Sequence, residues 1–470
     1  MPLSTVINLL KFAAIMVVSL AYLYGLGWLL VGPLLNRSLI SKRNDLLLIQ
    51  ESPLTLLAGF IINFGILLVL QTLKTSLIIS AVLSLIGLSC FVVYFFRYHF
   101  RKFKNPDSTN KWIGVVFFCL LMIGPILTIA LDAWDTRSIW FFHSKMIYYA
   151  GSIGLAAGWQ DPSVVFSQVD YPKLIPALGA QVMYVLGFWN EYLPKLSLYL
   201  IFIPPITWLV TFARRSFSYI FLLIILPFSL YPWLWNGYMD GLLAFYFCIA
   251  LLLFDRYIKS NEKVDLFSSI ACGIFLLYLK NEGILAFLAL LVGFVVLYLI
   301  RNRFKVNLKA VKIPWHMVVI AILALIPFAL WWIDKGQWRI SNDLGLGQSS
   351  SFERLTARLS DGSLQMILDK VMKYINASLN LLVVMLISNF VFRRPFIKET
   401  IPAIVATGLY VLGMVVIYLV TPHDLVWHLN NSTVRVMELA NGGISVACYL
   451  ILDALEHDPV VMSPKAIRQL

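Results

Sequence analysis

Long apolar runs, each closed by a short polar or basic segment, recur along almost the whole chain. Each run is long enough for a helix to cross roughly 30 Å of hydrocarbon, and a helix satisfies its own backbone hydrogen bonds there. The pattern predicts an all-α polytopic membrane protein with about thirteen transmembrane helices. The predicted spans lie near residues 5–33, 53–73, 76–96, 112–131, 192–212, 216–233, 238–254, 265–279, 284–300, 315–333, 367–391, 400–420 and 434–455.

The composition of the chain supports the same class. Of its 470 residues, 60% are hydrophobic and 13% charged, and the mean hydropathy is +0.83, which lies outside the range of soluble proteins. The net charge of +13 could indicate a nucleic-acid partner. However, the basic residues are spread over the loops between spans rather than gathered on one face. We therefore expect a lipid bilayer and no nucleic acid as partner.

The basic residues also predict the orientation, because Lys and Arg concentrate in the cytoplasmic loops of membrane proteins. Successive loops alternate between the two sides of the membrane. This alternation requires that residues 172–188 do not fully cross the bilayer, since a full crossing would put Arg214 and Arg215 outside. We expect a half-embedded or interfacial helix there, in a multi-pass protein of the plasma membrane. Most of the 37 Lys and Arg residues then lie in the tail and in the cytoplasmic loops 34–50, 97–111, 213–216, 255–264, 301–314 and 391–399.

Unusual polar residues gather on the opposite, outer side of this predicted topology. Ionisable groups at a membrane boundary cost free energy unless they face water, a partner or a ligand, so a shared side predicts a shared cavity. The alternative is that each residue only caps a helix at the interface. The residues concerned are Asp132, Asp135, Asp170, Asp240, Lys280, Glu282, His423, Asp424, His428 and Arg435.

The residue types on this side suit the chemistry of a sugar and a phosphate. Carboxylates beside aromatic rings suit a general base that acts on a hydroxyl or amine. Lys280, Arg435 and Arg137 offer positive charge for a phosphate. The many Trp and Tyr residues suit the faces of sugar rings, although an interfacial aromatic belt is the alternative. No phosphate-binding GxxxxGK[ST] loop, GxSxG elbow or HExxH motif occurs.

Five short segments carry a resemblance to a known family. In order along residues 112–455 they are WDTRSIWFFHSK (134–145), DYPKLIP (170–176), GYMDG (237–241), KNEG (280–283) and TPHDLVWHLNNSTVR (421–435). Together they resemble polytopic glycosyltransferases of the GT-C superfamily, in the group related to protein O-mannosyltransferases and lipid A aminoarabinose transferases. Two features depart from that group: about three spans precede the catalytic-loop helix, and position 137 is Arg.

The resemblance implies a fold, a division of the chain and a reaction. Residues 1–111 would form extra N-terminal helices, 112–455 a catalytic module with outer loops 132–191 and 334–366, and 456–470 a cytoplasmic tail. The outer loop 132–191 would contain interfacial helices. Such enzymes transfer a single sugar from a polyprenyl-phosphate donor to a glycan, lipid or protein acceptor on the non-cytoplasmic face, usually with inversion.

The resemblance also suggests roles for individual residues. Asp135 occupies the family's Trp-Asp position and is the expected base; Asp132 is the runner-up, or else the N-cap of the next helix. Lys280 and Arg435 are expected to bind the donor phosphate, unless Lys280 only pairs with Glu282. The other substrate-binding candidates are Asp170, Tyr171, Asp240, Glu282, Trp140, Lys145 and His428.

Two further features leave alternatives open. Arg354 and Arg358, four residues apart, share a face of a helix that is either a solvated amphipathic segment or a lid whose Arg358 contacts the donor phosphate. His423 and His428 are five apart, which is not the spacing of two metal ligands on one helical face. The sequence identifies no certain cofactor, and its outer carboxylates leave a divalent cation open.

Two other classes of function stay in view. A lipid or glycan transporter or flippase would explain the number of spans, but it should carry repeats, or ionisable residues near the midplane. A ligase resembling O-antigen ligases would use a diphosphate-linked donor and carry several outer arginines. The nature of the donor therefore discriminates between the three functions.

Overall fold

The computed structural model describes residues 3–38, 47–98, 110–117, 119, 133–213, 216–231, 233–234, 236–301, 303, 315–340, 342, 349–391 and 398–457. This part of the chain is almost entirely helical and contains no strand, only an isolated bridge between Thr72 and Ser152. Its helices are α1 (Leu3–Ser38), α2 (Leu47–Leu70), α3 (Leu73–Tyr98), α4 (Phe141–Ala150), α5 (Leu174–Leu186), α6 (Leu196–Thr211), α7 (Phe217–Ser229), α8 (Met239–Ser260), α9 (Lys263–Leu276), α10 (Glu282–Arg301), α11 (Trp315–Gln337), α12 (Ser349–Ser360), α13 (Ser363–Val391), α14 (Ile401–Val420), α15 (Leu425–Val436) and α16 (Glu438–His457).

Ten helical segments in the described ranges are long and apolar enough to cross a membrane. The all-α, multi-pass class predicted from the sequence is therefore confirmed. The predicted spans 216–233 and 265–279 correspond to the shorter helices α7, with 13 residues, and α9, with 14. The predicted span 112–131 lies mostly outside the described residues, so the number thirteen stays a prediction.

The segment expected not to cross the membrane forms the short helix α5. Its 13 residues span about 20 Å at 1.5 Å per residue, less than the roughly 30 Å hydrocarbon core. Gly187 ends the helix in the left-handed conformation, and its N–H donates to the carbonyls of Met183 and Tyr184. The length fits a segment that does not cross the bilayer by itself.

The N-terminal helices pack into the rest of the bundle through buried polar contacts. Asn63 of α2 donates to Gln181 of α5 at 2.6 Å and accepts from Tyr22 of α1 at 2.6 Å. Beyond the end of α2, the side chain of Gln71 donates to Asp334 of α11 at 3.2 Å. The described part of residues 1–111 is thus in direct contact with α5 and α11.

The two ends of the bundle differ in how their charges pair. At one end, Arg256 donates to Asp265 at 2.6 Å, and Glu456 accepts from the backbone of Phe217 and Ser218 at 2.9 Å. These contacts join the ends of helices; Asp265 is buried, whereas Phe217 is exposed. At the other end, where α8 and α10 begin and α11 and α14 finish, charged side chains are buried around a cavity. We call it the cavity end.

Candidate functional site

A cavity of about 560 Å³ lies at the cavity end. Its walls come from the segment after residue 133, the loop 166–171, the residues before α8, the first turns of α10, the end of α14 and the helix α15. The structure thus brings together residues of all five sequence segments. The lining residues are Trp134, Asp135, Ile139, Phe166, Gln168, Tyr171, Tyr238, Asn281, Glu282, Ile284, Leu285, Leu288, Trp332, Asn342, Met414, Ile417, His423, Trp427, His428, Asn431, Ser432, Arg435 and Val436.

An ion pair between Asp135 and Arg435 joins residues 300 positions apart in the chain. Asp135 lies at the start of a π-helical turn. The side-chain hydroxyl of Thr136 anchors this turn, because it donates to the backbone carbonyl of Asn236 at 2.8 Å. The next residue, Gly237, has a φ of +86°, and a Cβ there would lie 2.6 Å from a methyl group of Thr136. The close approach of these two loops therefore fixes where the Asp135 carboxylate stands.

A second charged group lies behind the wall of the cavity. Lys280 is buried and its ammonium contacts Asp240 at 2.8 Å and Glu282 at 3.1 Å. Burial alone would lower the pKa of Lys280, but Asp240 and Glu282 outweigh it and hold that pKa above its ordinary value. Gly283 permits this arrangement, since a Cβ there would overlap the carbonyl of Leu276. Lys280 is therefore a cation, held by two carboxylates rather than by Glu282 alone.

These two groups retain unused hydrogen-bonding capacity. Within the described residues, Oδ2 of Asp240, Oε2 of Glu282 and Nε of Arg435 are buried and have no hydrogen-bond partner. Such atoms normally find a partner in a folded protein. Carboxylate oxygens suit a hard divalent cation; no set of three or more His, Cys, Asp or Glu side chains arranged for a metal occurs in the described ranges.

Aromatic rings surround the cations. The guanidinium carbon of Arg435 lies 5.0 Å from the ring centroid of Tyr238, and Nζ of Lys280 lies 5.9 Å from that of Tyr171. Tyr171 in turn stacks on the buried ring of Trp140, with centroids 5.5 Å apart and planes at 13°. Trp140 therefore supports the wall from behind, while Tyr171 and Tyr238 line it.

Asp170 contributes to the site indirectly. Its Oδ2 accepts from the side-chain amides of Asn281 at 2.7 Å and Asn342 at 3.1 Å, and both of these residues line the cavity. Sequence reasoning missed the two asparagines. The KNEG segment contains Asn281, but nothing in the pattern indicated that its amide would contact a loop 111 residues away.

One flank of the cavity is apolar. Ile284, Leu285 and Leu288 of α10 face it, together with Met414 and Ile417 of α14. Leu288 is also exposed on the outside of the bundle. The cavity thus combines a charged, aromatic part with an apolar wall that reaches the surface expected to face lipid.

A buried polar network that sequence reasoning missed lies under the loop 166–171. Lys173 donates to the carbonyl of Val169 at 2.8 Å and contacts Nδ1 of His143 at 3.0 Å. The other ring nitrogen of His143 lies 3.0 Å from Oγ of Ser167. Burial, followed by the charge of Lys335, lowers the pKa of Lys173 well below its ordinary value, although Asp170 raises it.

The structure does not bring every predicted residue to the cavity. Arg137 is exposed, and Lys145 pairs with Glu191 at 2.8 Å. Arg358 donates to the backbone carbonyls of Tyr418 at 2.9 Å and Thr421 at 2.8 Å. These three residues do not line the cavity. Asp132 lies outside the described residues.

Two histidines line the rim of the cavity. His428 contacts Oγ1 of Thr421 at 3.0 Å through Nδ1, and its ring centroid lies 5.5 Å from that of His423. Both residues face the cavity beside Trp427 and Asn431. The predicted substrate-binding candidate His428 is therefore placed at the site, on a helix that also carries Arg435.

Comparison of the chain with protein-family models, with curated proteins and with solved structures gives no match.

Proposed function

We propose that the protein is a membrane glycosyltransferase that moves a single sugar from a polyprenyl-phosphate donor to an acceptor hydroxyl or amine, on the non-cytoplasmic face. The observation that carries the proposal is the position of Asp135 and Arg435 in the same cavity. A carboxylate can take the proton of the acceptor. A guanidinium beside it can stabilise the charge that develops on the leaving phosphate.

The shape of the cavity supports a donor with a polar head and a long apolar chain. Arg435 and Glu282 lie at the charged part, and the aromatic rings of Tyr171 and Tyr238 can pack against a sugar. The apolar flank of α10 and α14 provides a path for an isoprenoid chain towards the bilayer. A flippase would need no base beside the cation, so this combination favours transfer over transport.

The proposed reaction requires an exchange of partners at Arg435. In the structure the guanidinium neutralises Asp135. A phosphate that binds Arg435 would take over that pairing and leave the Asp135 carboxylate to accept the proton of the acceptor. The sugar carbon then bonds to the acceptor oxygen or nitrogen as its bond to the phosphate oxygen breaks, and polyprenyl phosphate leaves. Lys280 lies behind the wall and holds Asp240 and Glu282 in place.

The test uses purified protein in lipid nanodiscs with a panel of polyprenyl-phosphate-linked hexoses and pentoses. Membranes from cells that lack the protein supply the acceptor. We expect release of polyprenyl phosphate together with label in an acceptor. Asp135→Asn should lower the rate by about 10²–10⁴-fold, the contribution of a general base. Repeating the assay with a chelator shows whether a divalent cation takes part.

The matched control is Asp161→Asn, in the same outer segment. Asp161 caps a short helix by accepting from the backbone N–H of Ser163, and Asn caps as well as Asp. This variant should keep normal transfer. Near-normal transfer by Asp135→Asn would remove that residue from the role of base. Turnover of a diphosphate-linked donor alone, or lipid movement without cleavage, would replace the proposal by one of the two alternatives.

Binding of polyprenyl phosphate tests the exchange of partners separately. Asp135→Asn removes the charge that competes for Arg435, so we expect it to bind polyprenyl phosphate about tenfold more tightly, equivalent to ~1.4 kcal/mol. Arg435→Gln should weaken binding, whereas Arg137→Gln, at an exposed guanidinium outside the cavity, should not. Equal affinity of the wild type and Asp135→Asn would show that Asp135 and the phosphate do not compete.

A further inference from the structure

Helix α12 (Ser349–Ser360) turns two arginines inward and two large apolar side chains outward. Arg354 and Arg358 point to the protein, whereas Phe352 is 69% exposed and Leu359 52% exposed. Phe352 and Leu359 are seven residues apart and therefore lie on one side of the helix. An ordinary surface helix of a soluble protein has the opposite arrangement.

The inward arginines hold the end of α14. Arg354 donates to the carbonyl of Val420 at 2.7 Å. Arg358 donates to the carbonyls of Thr421 at 2.8 Å and His423 at 3.2 Å. The last carbonyls of a helix have no partner within the helix, and cations are favourable at that end. The two arginines therefore fix the turn between α14 and α15.

That turn forms the rim of the cavity. His423 lines the cavity directly, and Thr421 contacts His428, which also lines it, at 3.0 Å. Trp427 lies between them on the first turn of α15. The position of α12 thus decides where these rim residues stand.

The level of α12 along the bundle is set by two candidate spans. α14 ends at Val420, next to Arg354, and α13 begins at Ser363, three residues after α12. The helix therefore lies where these spans leave the hydrocarbon. Polar residues on its outer side, Glu353 and Ser360, are also exposed. A helix with apolar and polar strips at this level suits the plane of a membrane interface.

We propose that α12 lies in the interfacial region of the bilayer, with Phe352 and Leu359 among the lipid chains, and holds the cavity rim through Arg354 and Arg358. Two side chains are far fewer than the roughly 20–30 residues that a stable protein–protein interface uses on each side. The lipid surface is therefore the occupant that this face fits. The proposal is independent of the proposed function.

The first experiment measures the depth of two positions by spin labelling. Phe352→Cys and Ser360→Cys are made in a Cys90→Ser background, since Cys90 is exposed, and are reconstituted in phosphatidylcholine nanodiscs with one protein each. The label at 352 should lie about 5–10 Å into the interface, with a several-fold higher ratio of oxygen to nickel-complex collisions than the label at 360. Cys90→Ser protein without an introduced cysteine is treated in the same way, as the control for labelling at other positions.

Two outcomes would overturn the lipid contact. Equal access of the nickel complex to labels at 352 and 360 would place both in water. A label at 352 that neither reagent reaches would mean that protein covers it, and the single-copy nanodisc excludes a second copy of the chain. Both sites are on the surface of a helix, so labelling there should not prevent folding.

The second experiment tests the link to the rim. A spin label at position 427, which is exposed, should become more mobile in Arg358→Gln and in the double variant Phe352→Ser, Leu359→Ser. The matched control Glu353→Gln, on the same helix, should leave its mobility unchanged. Unchanged mobility in both test variants would overturn the positioning role of α12. Sugar transfer is not measured here, so this result and the test of the proposed function can fail separately.

Discussion

Two buried lysines at the cavity end show how the same side chain can serve opposite purposes. Lys173 is 0% exposed and Lys280 is 1% exposed. Lys280 contacts two carboxylates, Asp240 and Glu282. The hydrogen-bond partners of Lys173 are a backbone carbonyl and the imidazole of His143. The pKa of Lys280 is accordingly raised and that of Lys173 is lowered.

The comparison shows that charge pairing stabilises the surroundings of Lys280, whereas neutral hydrogen-bond acceptors hold Lys173. Burial lowers the pKa of Lys173, and its Nζ lies 4.6 Å from the ring centroid of Trp159. It holds the loop that presents Phe166, Gln168 and Tyr171 to the cavity. Lys280, in contrast, supplies a charge that pairs with the buried Asp240 beside Arg435. Burial alone distinguishes neither role; the partners do.

The largest effect that would sharpen this comparison is expected from Lys280→Met. The variant leaves Asp240 and Glu282 buried without their cation, which typically costs about 3–5 kcal/mol of the free energy of unfolding. The change is measured by denaturant unfolding in detergent micelles. A second substitution, Asp240→Asn, should recover part of the loss, because it removes one of the uncompensated charges.

A loss below about 1 kcal/mol, the value for exposed pairs, would break the comparison. It would mean that Lys280 is not a buried cation. Lys145→Met is the control at such an exposed pair, since Lys145 and Glu191 lie on the surface. It should change the free energy of unfolding by no more than that amount.

The fold could be predicted from the sequence to the extent that it depends on local pattern. Apolar runs specify spans wherever they reach membrane length, and α5 was separated from the full spans by charge alternation alone. The helices α7 and α9 show the limit. Their apolar runs extend past the ends of the helices, whose C-caps are Leu230 and Leu277. Where a helix ends within an apolar run depends on tertiary packing, which the periodicity of the sequence does not encode.

The site could be predicted in its members but not in its pairings. Asp135, Glu282 and Arg435 are predicted because ionisable groups are costly at a membrane boundary, and Tyr171 because aromatic rings in these loops suit a sugar. The pairing of Arg435 with Asp135 joins distant spans and has no local signal. Arg358 has the right charge for a phosphate, yet its contacts are decided by where α14 ends. Tertiary structure assigns each cation its partner.

A smaller effect is expected from Lys173→Met. The substitution leaves the carbonyl of Val169 and Nδ1 of His143 without their donor, and a buried acceptor left unsatisfied costs about 1–3 kcal/mol. Neither hydrogen-bond partner of Lys173 is a carboxylate, so the loss should be smaller than for Lys280→Met. Unfolding of the two variants under the same conditions gives the ranking; a larger loss for Lys173→Met would contradict it.

The smallest and most specific effect is a difference between Lys173 and Lys280 in how their contributions to the free energy of unfolding depend on pH. The pKa of Lys173 is lowered in the folded state, so between that value and the ordinary ~10.4 the unfolded chain binds a proton that the folded chain does not. Stability due to Lys173 therefore rises with pH there, by at most about 1.4 kcal/mol per unit. The pKa of Lys280 is raised, so its contribution is complete below ~10.4 and is lost only as pH rises through the folded value.

Unfolding between about pH 7.5 and 9.5, below the ordinary lysine pKa, separates these two signs. Relative to the wild type, Lys173→Met should remove part of the rise in stability with pH, whereas Lys280→Met should lower stability by a constant amount. A pH-independent offset for Lys173→Met would mean that Lys173 keeps its proton in the folded protein. The loop under the cavity would then be held by a charge, and the distinction between the two lysines would rest on their geometry alone.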